Sequence, residues 1–185
     1  MRVIAGSAKG HHLAMPRGLQ TRPTSDKVRE AIFSMLADWV VDGPVLDLFA
    51  GTGALGIEAL SRGATEGVFV EARPVACAVI RENLKRTRFE LVSQVMCMQV
   101  ERAIPRLDTD FSLVLLDPPY ALPDLHGILQ VVCGARFVGD ETVVVFEHTP
   151  RFAVEERYAG LVLQRQKVYG DTAVSIFAAR EEEGT

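Results

Sequence analysis

Gly51-Thr-Gly53-Ala-Leu-Gly56 is a G-x-G-x-x-G run. Glycines at such spacing let backbone approach a bound ligand closely. Glu71 stands 20 residues beyond Gly51, where a carboxylate at a strand tip can accept hydrogen bonds from two ribose hydroxyls. Adenosine ribose is common to NAD and to S-adenosylmethionine, so this pattern fits either ligand, or a tight turn with no ligand. Asp47, just before the run, favours S-adenosylmethionine. A carboxylate there repels a pyrophosphate and attracts a sulfonium or amino group.

A second constellation is Asp117-Pro118-Pro119-Tyr120. Two prolines fix the backbone and remove amide donors, which by itself makes a rigid turn. An acid beside an aromatic offers more. The exocyclic amine of a nucleobase is a poor nucleophile because its lone pair is delocalised into the ring. Asp117 can accept one N–H and the Pro118 carbonyl the other. The nitrogen is thereby drawn towards tetrahedral geometry, its lone pair aimed at an in-line methyl donor. The product amine sheds its proton readily, so no strong base is required. Tyr120 can stack on the base, worth about 1–3 kcal/mol in comparable sites. A base inside a duplex cannot enter such a pocket, so the target is unpaired or flipped out.

These residues need elements to hold them. Residues 2–6 and 11–15 flank Ser7-Ala-Lys-Gly10 and read as a β-hairpin. Pro16, Gly18 and Pro23 keep the next stretch irregular. Thr24 or Ser25 can cap a helix whose apolar face is Val28, Ile32, Met35, Leu36 and Trp39. Beyond Gly43-Pro44, strands and helices alternate: strand 45–49, helix 54–62, strand 67–71, helix 74–86, strand 95–98, a helical turn near 102–107, strand 113–116, helix 123–133 and strand 142–146. Strands 161–168 and 172–178 then form a hairpin with no helix between. Alternation with near-continuous apolar strands implies a parallel α/β sheet covered on both faces, with one antiparallel strand from the final hairpin. Both constellations then fall at the carboxyl edge of the sheet, where ligands bind. The expected organisation is a basic N-terminal hairpin and helix over 1–42, a catalytic domain over 43–180 and a frayed tail over 181–185.

With 185 residues, 48% of them hydrophobic, the chain can build a core without staples. Net charge is −4, but its distribution is uneven. Residues 1–36 carry six basic and two acidic side chains, for +4, and the remainder carries −8. A coat protein basic all over is excluded; a local basic surface is not. Arg81, Lys85 and Arg88 form a further basic stripe, which reads equally as a solvated helix face. No apolar run reaches membrane-spanning length, and the N-terminus lacks a secretory core. Cys77, Cys97 and Cys133 form no CxxC and lie in apolar stretches, which points to buried thiols in a reducing cytoplasm. The four histidines show no metal-ligand spacing.

Asp47-Leu-Phe-Ala-Gly-Thr-Gly53 resembles the first motif of class I methyltransferases, and Asp117–Tyr120 resembles the catalytic motif of amino-directed nucleic-acid methyltransferases. The related Asn-Pro-Pro-Tyr form serves adenine and protein-glutamine enzymes. Arg22-Pro-Thr-Ser-Asp-Lys-Val-Arg-Glu, the opening Arg2-Val-Ile-Ala-Gly-Ser-Ala-Lys-Gly and Val168-Tyr-Gly-Asp-Thr resemble the RsmD-type family, bacterial 16S rRNA guanine-N2 methyltransferases, over about residues 1–179. The resemblance implies a Rossmann-like, seven-stranded, mostly parallel sheet. It further implies transfer of a methyl from S-adenosylmethionine to the N2 amine of one guanine in the small ribosomal subunit, by a cytoplasmic monomer without metal or membrane contact. Catalysis falls to Asp117, Pro118 and Tyr120. Cofactor contacts fall to Asp47, Ala50, Gly51, Gly53, Glu71, Ala72, Gln99 and Val100, and phosphate contacts to Arg22, Lys27 and Arg29. Gln99 departs from the family, which places an acid there to read the adenine amine. Its carbonyl can still accept, without a charge-assisted bond. The alternatives are a DNA adenine-N6 or cytosine-N4 methyltransferase, for which 43 residues before the first strand leave little room for a target-reading module, a non-catalytic RNA-binding module, and an NAD-dependent oxidoreductase.

Overall fold

The computed structural model describes residues 1–15, 25–39 and 42–179. Arg22, the proline-punctuated stretch before it and the tail 181–185 lie outside the described residues. Helix α1 is Asp26–Met35. The sheet strands are β1 Val45–Leu48, β2 Gly67–Glu71, β3 Ser93–Cys97, β4 Leu113–Leu116, β5 Val143–His148, β6 Arg157–Tyr158, β7 Leu161–Tyr169 and β8 Thr172–Ala178. Helices α2 Ala54–Arg62, α3 Pro74–Thr87, α4 Val100–Ala103 and α5 Leu125–Cys133 connect the parallel part.

The order across the sheet is β3-β2-β1-β4-β5-β8-β7-β6. The first five run parallel, and β8 enters antiparallel to β5. There are thus eight strands, not seven. The extra one is the two-residue β6, too short to leave a periodicity in the sequence, and it pairs antiparallel with β7. Chain order reverses between β1 and β4, which opens a crevice at their carboxyl ends.

Alternation along the strands builds two cores. Val45, Phe69, Leu113, Leu115, Val143 and Val145 face α1, α2 and α3, while Leu46, Leu48, Val70, Val114, Leu116, Val144 and Phe146 face α4 and α5. Cys77 and Cys133 are buried, as the apolar context suggests. Cys97 is exposed, because β3 is an edge strand and its neighbours lie on one side only.

Caps form where the chemistry predicts. Ser25 Oγ accepts from Val28 N at 3.2 Å and Asp26 occupies the first turn of α1. Asp124 Oδ1 accepts from Gly127 N at 2.8 Å at the start of α5.

The N-terminal hairpin forms around one antiparallel bridge, Arg2 with His12, with backbone bonds from Val3 N to His11, Gly10 N to Val3 and Leu13 N to Met1. Its outward amides are also satisfied. Ile4 N and Ala5 N donate to the two carboxylate oxygens of Glu58 on α2, at 2.8 and 3.0 Å. Ser7 N donates to the Ser61 carbonyl at 2.7 Å. Gly6 permits this approach: a Cβ there would sit 1.6 Å from the Ser61 carbonyl oxygen, at a φ of +79°. Further along, Ala14 N donates to Asn83 Oδ1 at 2.7 Å, and Asn83 Nδ2 donates to the Ala14 and Thr52 carbonyls. Val3, Ala8, Leu13, Val28 and Ile32 belong to the same cluster as Val45 and Leu115. Residues 1–15 are clamped onto α2 and α3 rather than hanging from them.

Candidate active site

Four strands of the parallel sheet have an acid at or next to the carboxyl end: Asp47 within β1, Glu71 closing β2, Asp117 just past β4 and Glu147 in β5. Alternation puts all four on the α1–α2 face. Asp47 follows Val45, Glu71 follows Phe69, Asp117 follows Leu115 and Glu147 follows Val145. They line one cavity of about 710 Å³.

The glycine loop makes one wall. Phe49 and Gly51 take left-handed φ of +61° and +57° as the chain leaves β1. For a phenylalanine that conformation costs about 1–2 kcal/mol. It is held by Ala50 N on the Val70 carbonyl at 3.0 Å and by Gly51 N on Glu71 Oε2 at 2.9 Å. Asp47 Oδ2 accepts from Gly56 N at 2.9 Å, taking one of the unpaired donors of the first turn of α2. Gly56 has room for no side chain, since a Cβ would lie 2.4 Å from the Phe69 ring.

Burial pushes the Asp47 carboxyl up to about 7, with the nearby Asp117 and Glu71 charges adding to the rise and the Gly56 bond opposing it. Glu71 is differently placed. Its Oε1 accepts from Arg73 N and Arg73 Nε, both at 2.9 Å. Arg73, on the same wall, has its guanidinium pKa raised, chiefly by its hydrogen bond to Glu71.

The Asp-Pro-Pro-Tyr turn lines the same cavity. Asp117 N donates to the Leu48 carbonyl at 3.4 Å, so the turn begins on the last rung between β4 and β1. Pro118 is buried, whereas Tyr120 is 48% exposed at the rim. The Tyr120 hydroxyl lies 3.2 Å from Thr172 Oγ1. Burial first, then the Glu147, Asp117 and Asp171 charges, hold its phenol above its ordinary range against the opposing Thr172 bond, so the ring stays neutral.

Asp47, Ala50, Gly51, Glu71, Ala72, Gln99, Val100, Asp117, Pro118 and Tyr120 all line this one cavity. Gly53 does not. It is the N-cap of α2 at φ +76°, and a Cβ there would meet Ile80 and Phe69 at 3.2 and 3.4 Å, so it serves the turn and the packing beneath. Gln99 is the N-cap of α4 and exposed, beside buried Val100. Arg29 must be corrected. Its side chain is 0% exposed, with Asp26 at 3.0 Å and Glu58 at 3.6 Å, so it faces the core and not a phosphate. Lys27, two residues away on α1, is exposed. It shares a recess of about 370 Å³ with Arg165, Lys167 and Tyr169. Arg81 and Lys85 on α3 and Arg88 at its C-cap are exposed, and none lines the cavity. Sequence reasoning missed Glu147, Thr172 and Arg73 among the cavity residues. An acid ending an apolar strand is the signal that would have found Glu147.

A five-stranded parallel sheet with its switch point between β1 and β4, and an antiparallel β8 wedged between β5 and β7, is the class I methyltransferase fold. A family model described as conserved hypothetical protein 95 matches residues 1–178. A putative rRNA methyltransferase of Bacillus subtilis, YlbH, is 39% identical over 183 residues, spanning 97% of this chain and all of that one. The ribosomal RNA small subunit methyltransferase D of Escherichia coli K12 is 32% identical over 188 residues, spanning 100% of this chain and 92% of that one. Among solved structures, the putative methyltransferase yhhF of Escherichia coli superposes with a TM-score of 0.85 at 31% identity, covering 97% of this chain and 99% of that one. This chain belongs to that family, the RsmD-type methyltransferases.

Proposed function

We propose that the protein transfers a methyl group from S-adenosylmethionine to the exocyclic N2 amine of a guanine in 16S rRNA of the small ribosomal subunit. The observation that carries this reading is a single cavity lined by Asp117-Pro118-Pro119-Tyr120 together with Asp47, Glu71 and the glycine loop. Relatives named as rRNA methyltransferases along their whole length support the RNA substrate.

The walls fit the cofactor. A row of carboxylates suits a cationic ligand with a ribose diol and opposes a pyrophosphate, which argues against NAD. Asp47 would meet the amino end, Glu71 the ribose hydroxyls, and Ala72, Gln99 and Val100 the adenine. Once bound, the cofactor supplies an electrophilic methyl group. The rest falls to this chain. Asp117 accepts one N–H of the target amine and the Pro118 carbonyl the other, fixing the nitrogen and freeing its lone pair. Tyr120, steadied by Thr172, offers its exposed ring to the base. The proton lost from the product amine has Asp117 as its nearest acceptor. Lys27, with Lys167 beside it, meets the phosphates of the RNA.

The test is methyl transfer to small subunits from a strain lacking this enzyme, with the modified base mapped by mass spectrometry. The expected product is N2-methylguanine in 16S rRNA; label only on protein, DNA or another base position sinks the reading. Asp117→Ala should lower kcat/KM by at least ~10³-fold, a loss on the scale of the orientation it supplies. S-adenosylhomocysteine affinity by calorimetry should change little.

A further inference from the structure

We infer that Glu147 reads the target base, its carboxylate accepting the N1–H of guanine while Asp117, on the neighbouring strand tip, holds the N2 amine. The inference rests on the guanine-N2 reading above and adds to it the device that excludes other bases.

The geometry begins with the register of β4 and β5. Leu116 pairs with Phe146, so Asp117 and Glu147 are the next residues along two adjacent parallel strands. Adjacent strands lie about 4.8 Å apart. Alternation turns both side chains to the same face as Leu115 and Val145, and both line the cavity. Glu147 is only 5% exposed. On its far side β8 pairs with β5, Glu147 against Val174, and β8 brings Thr172 to the hydroxyl of Tyr120. Glu147 therefore sits between the catalytic acid and the strand that steadies the stacking ring. Asp47 and Glu71, the acids suited to the cofactor, lie on the other side of Asp117, on β1 and β2.

Base chemistry then decides what a second carboxylate does there. Guanine presents two kinds of donor side by side, the N2 amine and the N1–H. Adenine places an N1 acceptor beside its amine, and cytosine an N3 acceptor beside its own. A carboxylate at the Glu147 position completes a hydrogen bond with guanine alone. With adenine or cytosine it faces a lone pair, and two acceptors set against each other in a buried site are strongly disfavoured. Asp117 cannot make this distinction, because all three bases offer it an amine.

The experiment compares wild type with Glu147→Ala and Glu147→Gln on small subunits lacking the modification, and on subunits reconstituted with 2-aminopurine at the mapped position. That analogue keeps the 2-amine but has an acceptor at N1. Glu147→Ala is expected to lower kcat/KM on guanine at least ~100-fold, in line with sites built to bond a particular donor. S-adenosylhomocysteine affinity should be unchanged. Glu147→Gln, whose amide can donate to N1, is expected to shift preference towards 2-aminopurine by at least ~10-fold relative to wild type. Wild-type kcat/KM in both variants, or activity and cofactor affinity lost together, overturns the role of Glu147. A wild-type product that is not N2-methylguanine overturns the underlying reading instead, and mass spectrometry separates the two failures.

Discussion

Glu58 and Asp47 are both carboxylates buried against α2, at 0% and 1% exposure, and their surroundings differ in kind. Glu58 accepts from Ile4 N, Ala5 N and Arg62 Nε within 3.0 Å and has Arg29 Nε at 3.6 Å. Asp47 has the Gly56 N–H, and the nearest charges that bear on it are the acids Asp117 and Glu71. One carboxylate is saturated with donors and locks the N-terminal segment to the sheet. The other accepts from the Gly56 N–H and lines a cavity suited to a cationic ligand. Burial alone therefore does not mark a functional acid; burial with a deficit of donors does.

The largest effect should come from breaking the saturated site. Glu58→Gln leaves the buried Arg29 guanidinium with Asp26 and the Arg2 carbonyl, both on Nη2, while Arg29 Nε and Nη1 have no hydrogen-bond partner among the described residues. A loss of about 3–5 kcal/mol in urea unfolding is expected. Adding Arg29→Met should recover part of it, because it removes the stranded charge. A cost under about 1 kcal/mol for Glu58→Gln would show that the hub is not what holds the segment.

The deficient site should respond in the opposite sense. The Asp47 carboxyl is raised in the folded protein from 3.8 to about 7, so the native state keeps a proton that the unfolded chain has already lost. Its contribution to stability therefore falls as pH rises through that window. Asp47→Asn removes the slope. Relative to wild type it should gain about 2–3 kcal/mol between pH 5 and pH 8, an upper estimate for a fully buried group. Cofactor affinity should move the other way. Wild type should bind S-adenosylhomocysteine up to about tenfold more tightly at pH 8 than at pH 6, as Asp47 ionises, and Asp47→Asn should be flat. Calorimetry across that range decides it.

The smallest effect sharpens the same contrast on α1. Lys27 is exposed and Arg29 buried, two residues apart on one helix. Lys27→Ala should leave stability unchanged, weaken binding to subunits a few-fold and reduce the salt dependence of binding by about one ion. An unaltered salt slope would remove Lys27 from the RNA surface.

Much of this was legible in the sequence because it is local. The glycine run, the Asp-Pro-Pro-Tyr turn and the apolar strands each carry their signal within a few residues, and strands 67–71, 113–116 and 172–178 fall where alternation puts them. What was not legible depends on distant partners. Nothing near Arg29 reveals that Glu58 faces it, so its charge read as a phosphate contact. Nothing near Ile4 and Ala5 reveals that their amides find an acceptor more than 50 residues away. Glu147 belongs to no short motif, and only the register of β4 with β5 sets it beside Asp117.

The Asn83 clasp has a consequence in time. It joins Ala14 to the third helix across 69 residues of sequence, and to the glycine loop through Thr52. At synthesis rates of about 5–20 residues per second, roughly 3–14 s separate the two ends of that clasp. The first residues made thus wait for the third helix before they lock. Until α3 has left the exit tunnel, Val3 and Leu13 lack the surface that buries them, and a pause near codon 80 would lengthen their exposure to chaperones and proteases.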